Sequence, residues 1–196
     1  MDKIEIINMA LARIGVGSIE RMDEPSEAAR VTKAFYDHVR RTVLRKYPWG
    51  FASRRAELAL LTDKAVAYNF AYRQPTDALY IRRLYKKDSE VPWDKRYYKV
   101  TSNKTGRIIF TNEEFAQAEY TADVVDTSLF DDAFIEALSW KLAAEVAFAL
   151  TGKSELAANA IQGYNAYFTE AAGEDAAEDM EAEEYVNRLA EARFMG

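Results

Sequence analysis

Cysteine is absent from this 196-residue chain, and histidine occurs once, as His38. Without thiols there can be no disulfide scaffold, thiolate zinc site, iron–sulfur cluster or cysteine nucleophile. A lone histidine with no second ligand nearby reads as a surface or packing residue. Long hydrophobic runs are missing too: no stretch approaches the roughly 18 consecutive apolar residues of a membrane span. The opening Met1–Gly15 lacks the basic segment and small-residue cleavage site of a secretory leader. From these absences the chain is expected in the cytoplasm, or in something assembled there. What remains is 49% hydrophobic and 30% charged, the composition of a soluble globular protein that buries roughly 70% of its unfolded surface.

Recognisable catalytic patterns are also scarce. Leu150-Thr151-Gly152-Lys153-Ser154 imitates the end of a phosphate-binding loop, but Ala147 stands where that loop needs glycine, and the preceding segment has helical rather than strand periodicity. The sequence holds no zinc-protease, nucleophile-elbow or dinucleotide-binding motif. The acidic pairs Asp131-Asp132 and Glu113-Glu114 lie at element boundaries, where carboxylates serve backbone N–H groups electrostatically. Enzymatic function, with its cofactor or metal, is therefore not expected.

Charge is divided unevenly along the chain, and basic residues are few in its second half. Residues 1–110 carry 22 Lys and Arg against 13 Asp and Glu, whereas residues 111–196 carry 4 against 19, so the net −6 conceals halves of +9 and −15. In a monomer such halves are solvated faces of opposite sign; in a ring they suit head-to-tail attraction between subunits, or an acidic lining that faces a polyanion.

Periodicity sketches an α+β protein: a bundle of about four helices with an inserted small antiparallel β lobe and a C-terminal tail helix. Asp2 and Glu5 form a capping-box pattern ahead of Ile4, Ile7, Leu11 and Ile14, and Gly15 supplies the stop. A second helix starts after Asp23-Glu24-Pro25-Ser26, carries Ala29, Ala34, Phe35, Val39, Val43 and Leu44, and ends before Pro48. Its exposed face is expected to hold Arg30, Lys33, Arg40, Arg41, Arg45 and Lys46. From Ala56 to Ala122 the period falls to two, as in Tyr68-x-Phe70-x-Tyr72 and Ala118-x-Tyr120-x-Ala122. Gln74-Pro75-Thr76-Asp77 reads as a breaker, Asn103-Lys104-Thr105-Gly106 as a hairpin turn and Lys86-Lys87-Asp88-Ser89-Glu90 as a loop. A third helix is expected from Asp126-Thr127-Ser128 to Thr151-Gly152, and a fourth from Ser154 to Gly173. Seven carboxylates then crowd residues 174–184, followed by Tyr185, Val186, Leu189 and Phe194 at helical spacing. The domains drawn from this are a helical body (1–55 and 126–173), a β lobe (56–125) and an acidic linker with a docking tail (174–196).

More than half of the twelve tyrosines fall between Tyr68 and Tyr120, interleaved with Arg82, Arg83, Lys86, Lys87, Lys95, Arg96 and Lys99. Tyrosine and arginine together mark protein interfaces, and they can also stack on nucleobases. An alternative function is thus a nucleic-acid-binding module that uses the basic helix 30–46 and the aromatic sheet.

Particular residues carry a resemblance. Asn8, Ala10-Leu11, Ile14-Gly15, Ile19, Asp23-Glu24, Ser26, Ala28-Ala29, Tyr36, Arg40 and Leu44-Arg45 precede the block Pro48-Trp49-x-Phe51-Ala52. Farther on come Phe70, Tyr72, Gln74-Pro75, Asp77 and Leu79, then Leu129-Phe130-Asp131, Phe134, Ala137-Leu138, Lys141 to Glu145, and Leu150-Thr151-Gly152. Over roughly residues 1–170 this pattern resembles the tail tubular protein A family, the head-to-tail adaptors of short-tailed bacteriophages and prophages. Gly50, Pro25 and everything after Gly173 depart from it.

The resemblance implies a structural virion protein at the head–tail junction. It implies a homo-oligomeric ring of about twelve subunits, stacked on the portal protein and presenting a surface to the tail nozzle protein, with DNA passing through its channel without sequence readout. No catalytic step, cofactor or membrane is implied. Within that picture Asp131, Asp132, Glu136 and Glu145 are expected to face the channel, because an acidic bore repels phosphate and lets DNA slide. Tyr80, Arg82, Arg83, Tyr85, Lys86 and Lys87 are expected to face the nozzle or a neighbouring subunit. Tyr185, Val186, Leu189 and Phe194 are expected to dock on the portal.

Overall fold

A computed structural model describes residues 1–62, 67–87, 92–93, 98–104 and 106–168. It mixes helices with two antiparallel sheets and divides into two compact units. One unit comprises Met1–Val39 and the described residues from Asp131 onward, and the other comprises Arg40–Phe130. The first division falls between Val39 and Arg40, inside a helix, whereas the boundary drawn from the sequence is after residue 55.

The first unit is helical. α1 spans Lys3–Arg13 and opens on the expected capping box: the Glu5 amide donates to Asp2 Oδ1 at 2.8 Å and the Asp2 amide donates to Glu5 Oε2 at 2.6 Å. Asn8 fixes the turn that follows, accepting from the Ile19 amide at 2.8 Å and donating to the Ile19 carbonyl at 2.9 Å. α2 spans Glu27–Lys46, and the Ser26 hydroxyl accepts from the Ala29 amide at its start. α3 spans Asp132–Thr151, and residues 154–168 form α4. α1 packs on α3, with Ile6, Ile7, Leu11, Phe134, Leu138 and Leu142 fully buried.

Two helical expectations need correction. The third helix does not start at Asp126. That carboxylate caps a 3-10 turn, Thr127–Leu129, by accepting from the Ser128 amide at 3.0 Å. Phe130 then adopts extended backbone, and Asp131 caps α3 through the Phe134 amide at 2.5 Å. Two acidic caps five residues apart start two separate turns, because each competes locally for free N–H groups. On α2, Ala34 is exposed while Tyr36 is buried, and Arg40, expected outside, is 1% exposed.

The second unit carries two four-stranded antiparallel sheets. β1 spans Ser53–Glu57, β2 Ala59–Leu61, β3 Phe70–Arg73, β4 Ala78–Lys86, β5 Pro92–Trp93, β6 Tyr98–Asn103, β7 Gly106–Thr111 and β8 Ala116–Ala122. The strand orders are β1-β8-β4-β5 and β2-β3-β7-β6. The expected breaker lies between β3 and β4, and Asn103 pairs with Gly106 across the expected β6–β7 turn. Gly106 has φ +135°, a conformation open to glycine and strained for other residues. β8 keeps the period of two, with Ala118, Tyr120 and Ala122 buried. β4 departs from it. Register shifts between Ala78 and Tyr80 and between Ile81 and Arg83 place the buried residues Ala78, Ile81 and Leu84 three apart, as bulges do.

Candidate functional site

Half of the six β-lobe residues singled out from sequence, Tyr80, Arg82 and Tyr85, are held by the fold itself. Arg82 donates through Nη2 to the carbonyls of Leu44 at 3.3 Å, Arg45 at 2.8 Å and Tyr47 at 2.8 Å, and through Nε to Thr121 Oγ1 at 2.8 Å. It therefore closes the C-terminus of α2, where carbonyls lack helical partners and a cation is favoured. Burial pulls its guanidinium pKa down from the ordinary arginine value. Tyr85 is buried, and its hydroxyl donates to Glu119 Oε2 at 2.5 Å; burial first, then that carboxylate, push its pKa up. Two guanidiniums approach the Tyr80 ring, Arg82 at 4.8 Å and Arg45 at 5.3 Å from its centroid. Arg83, Lys86 and Lys87 remain exposed, with Lys87 Nζ 3.3 Å from Glu57 Oε1.

The acids expected at the channel divide into two kinds. Glu136 Oε2 is 2.5 Å from Arg13 Nη2, and Arg13 also stacks at 3.9 Å over Trp140. Glu145 is 2.7 Å from Lys141. Their charges are therefore offset within α1 and α3. Asp131 and Asp132 are exposed at the start of α3 and have no ion pair among the described residues. The tail residues Tyr185, Val186, Leu189 and Phe194 lie outside the described residues, as do Lys95, Arg96 and the loop residues 88–90.

The residues of the resemblance terminate elements. Pro48 follows α2, and Trp49 is buried with its indole N–H donating to the Val43 carbonyl at 3.0 Å. Phe51 lies in a 3-10 turn, Gly50–Ala52, with its ring 5.5 Å from that of Phe130. Leu150 and Thr151 end α3, and Gly152 caps it at φ +67°. The Thr151 hydroxyl donates to the Ala147 carbonyl at 2.6 Å and accepts from the Lys153 amide at 3.1 Å. The Thr-Gly-Lys segment is thus a helix stop, not a phosphate loop.

The basic helix loses part of its outward charge. Arg40 and Arg41 both hold Asp123, Arg45 Nη1 donates to the Leu79 carbonyl at 2.5 Å, and Arg30 pairs with Glu27 at 3.0 Å. Lys33 and Lys46 are exposed, as is His38.

Exposed apolar side chains were not singled out from sequence. Phe148 on α3 is 62% exposed, and Leu60 and Phe115 on the β-rich unit are 60% and 59% exposed. Leu60 and Phe115 flank a cleft of about 150 Å³ floored by Leu58, Tyr72 and Ala116. Tyr72 braces it from below, its hydroxyl donating to the Glu113 and Glu114 carbonyls. Periodicity could not locate these residues, because an apolar residue on a strand or helix reads the same whether a core or a partner covers it. Among the described residues no helix is long and apolar enough to cross a membrane, and no group of three or more His, Asp and Glu could hold a metal ion. Neither a protein-family model nor a curated protein matches this chain.

Proposed function

We propose that this chain is a structural subunit of a ring, the head-to-tail adaptor of a short-tailed bacteriophage or prophage. In this reading the ring binds the portal protein on one side and the tail nozzle protein on the other, and DNA passes through its channel. The carrying observation is that each compact unit exposes large apolar side chains of its own: Phe148 in one, Leu60 and Phe115 in the other. Two different apolar surfaces on one subunit suit a heterologous contact, which closes into a ring when repeated by rotation. The residue pattern from Asn8 to Gly152 supports the adaptor role, and its Pro48-Trp49-x-Phe51 and Leu150-Thr151-Gly152 blocks fall at element ends that shape the fold. Asp131 and Asp132 are the acids assigned to the channel, and Arg83, Lys86 and Lys87 the cations assigned to the nozzle-facing or neighbour-facing surface.

Native mass by light scattering tests this, with the chain alone and then mixed with the portal ring encoded beside it. A mass near twelve times 22.3 kDa in either sample is the expected result. A chain that stays monomeric and ignores the portal overturns the proposal.

A further inference from the structure

A second cleft, of about 310 Å³, lies within the β-rich unit and is lined by Tyr80, Tyr98, Val100, Gln74, Arg45 and Arg107. Its chemistry is mixed in a specific way: two phenol rings, two aliphatic side chains of which Val100 is 41% exposed and Ile81 is buried, and two guanidiniums. Arg107 is exposed and has no carboxylate partner among the described residues. Two guanidiniums, of Arg45 and Arg82, contact the Tyr80 ring, so that ring is positioned before anything binds.

Gln74 is the unusual member. It is 6% exposed, and its side-chain Nε2 donates to the Ala78 carbonyl at 2.8 Å. Its backbone amide donates to the Arg107 carbonyl at 3.1 Å, so the residue cannot swing away without breaking both bonds. Flipping the amide would place oxygen against the Ala78 carbonyl, so the orientation is set by chemistry. Gln74 Oε1 is therefore a buried acceptor without a donor among the described residues. Leaving such a group unpaired is costly, and an N–H from a bound chain would satisfy it. The site thus asks for an extended peptide with carboxylates for Arg45 and Arg107, an aromatic or aliphatic side chain for the phenol-lined wall, and a backbone N–H.

Beyond the described residues the chain carries a segment of that description. The described residues end at Phe168, and 28 residues follow with nine carboxylates against two arginines. Within them Glu183-Glu184-Tyr185-Val186 sets two acids directly before an aromatic and a β-branched residue. We infer that this cleft is the receptor for the chain's own C-terminal segment, with residues 183–186 as the anchor. The inference stands apart from the ring proposal, since it needs neither portal nor DNA.

The test uses the full-length protein with Tyr185→p-benzoylphenylalanine, irradiated and digested for mass spectrometry. Cross-links to peptides that contain Tyr80, Tyr98 or Val100 are expected, and gel mobility separates links within a subunit from links between copies. Arg107→Glu should lower the yield at least tenfold, and adding Glu184→Arg should restore much of it. Arg107 is exposed, so circular dichroism should be unchanged in that variant. Cross-links confined to the helical unit, or a yield indifferent to Arg107→Glu, overturn the assignment. A third outcome does so as well: a single-stranded oligonucleotide that binds and protects Tyr80 and Tyr98 equally well in wild type and in a Glu183→Gln/Glu184→Gln variant would make the cleft a nucleic-acid site.

Discussion

The Arg40 guanidinium, 1% exposed, meets the Asp123 carboxylate at 2.5 Å across 83 positions of sequence. It also donates to the Val124 carbonyl at 2.5 Å, and Arg41 Nε takes the second Asp123 oxygen at 3.0 Å. One carboxylate thus neutralises two neighbouring cations on α2, one buried and one exposed. Removing Asp123 strands the buried charge. Asp123→Ala is expected to destabilise the protein by about 3 kcal/mol, toward the lower end for a broken buried pair because Asp123 is itself partly exposed. Asp123→Asn keeps an acceptor and should lose roughly half as much. Urea denaturation reads both values, and equal losses would show that charge is irrelevant at this site.

Arg82 performs a comparable task at the end of α2, where three carbonyls converge on one Nη2. Arg82→Ala should cost about 2 kcal/mol, through several lost charge-assisted hydrogen bonds. Arg82→Lys should recover little, because an ammonium cannot reach Thr121 and the helix end together with the geometry of a planar fork. Full recovery by lysine would mean that charge alone matters here. Hydrogen exchange of the last α2 amides gives a second, local readout.

Two glycines should respond to alanine for different reasons. Gly152 caps α3 at φ +67° with open space around it, so Gly152→Ala costs only the left-handed conformation, about 1 kcal/mol. Gly163 is helical, and alanine would be favoured there by about 1 kcal/mol on propensity alone. Its Cβ, however, would stand 2.7 Å from the Trp140 ring. The ring is packed under Arg13, so overpacking of about 1–3 kcal/mol should outweigh the propensity gain. Thermal melts of both variants check the signs, and a stabilised Gly163→Ala would show that the indole shifts freely.

Acid should loosen two turns that carboxylates hold. The Ser26 hydroxyl, followed by the Glu20 and Arg21 amides, holds the Glu24 carboxyl below the ordinary glutamate value. The Ser128 hydroxyl and amide hold Asp126 below the ordinary aspartate value. A carboxyl whose folded pKa is depressed contributes stability that is present above its unfolded pKa and lost as pH falls through the folded one. Side-chain NMR titration should therefore place both midpoints below model-peptide values. Ordinary midpoints would mean that the turn hydrogen bonds do not persist in solution.

The ring proposal makes one prediction about a single side chain. Phe148→Glu should abolish assembly into a high-mass species while leaving the melting temperature of the monomer nearly unchanged, because an exposed residue contributes little to the fold. Sedimentation velocity separates the outcomes. Intact assembly by the variant would remove α3 from the interface.

Several features of this protein were legible along the chain, and each depends on residues a few positions apart. The Asp2–Glu5 capping box, the Ser26 cap, the stop at Gly152, the Gln74–Asp77 breaker and the β6–β7 turn satisfy backbone groups within reach of their own side chains. Local chemistry decides such features in any fold. The burial of Arg40 was not legible, because nothing near it on α2 announces that Asp123 will arrive from the end of β8. Arg82 and Tyr85 looked like surface residues for the same reason: their partners at α2 and Glu119 come from distant sequence. The bulges in β4 hid its inward face by changing the spacing of Ala78, Ile81 and Leu84. The cleft around Gln74 is assembled from four separate stretches of chain, so no window of sequence contains it. Backbone hydrogen bonding acts over a few residues and leaves its mark in composition, whereas a buried charge or an open cleft exists only when remote segments meet, and that meeting is set by packing.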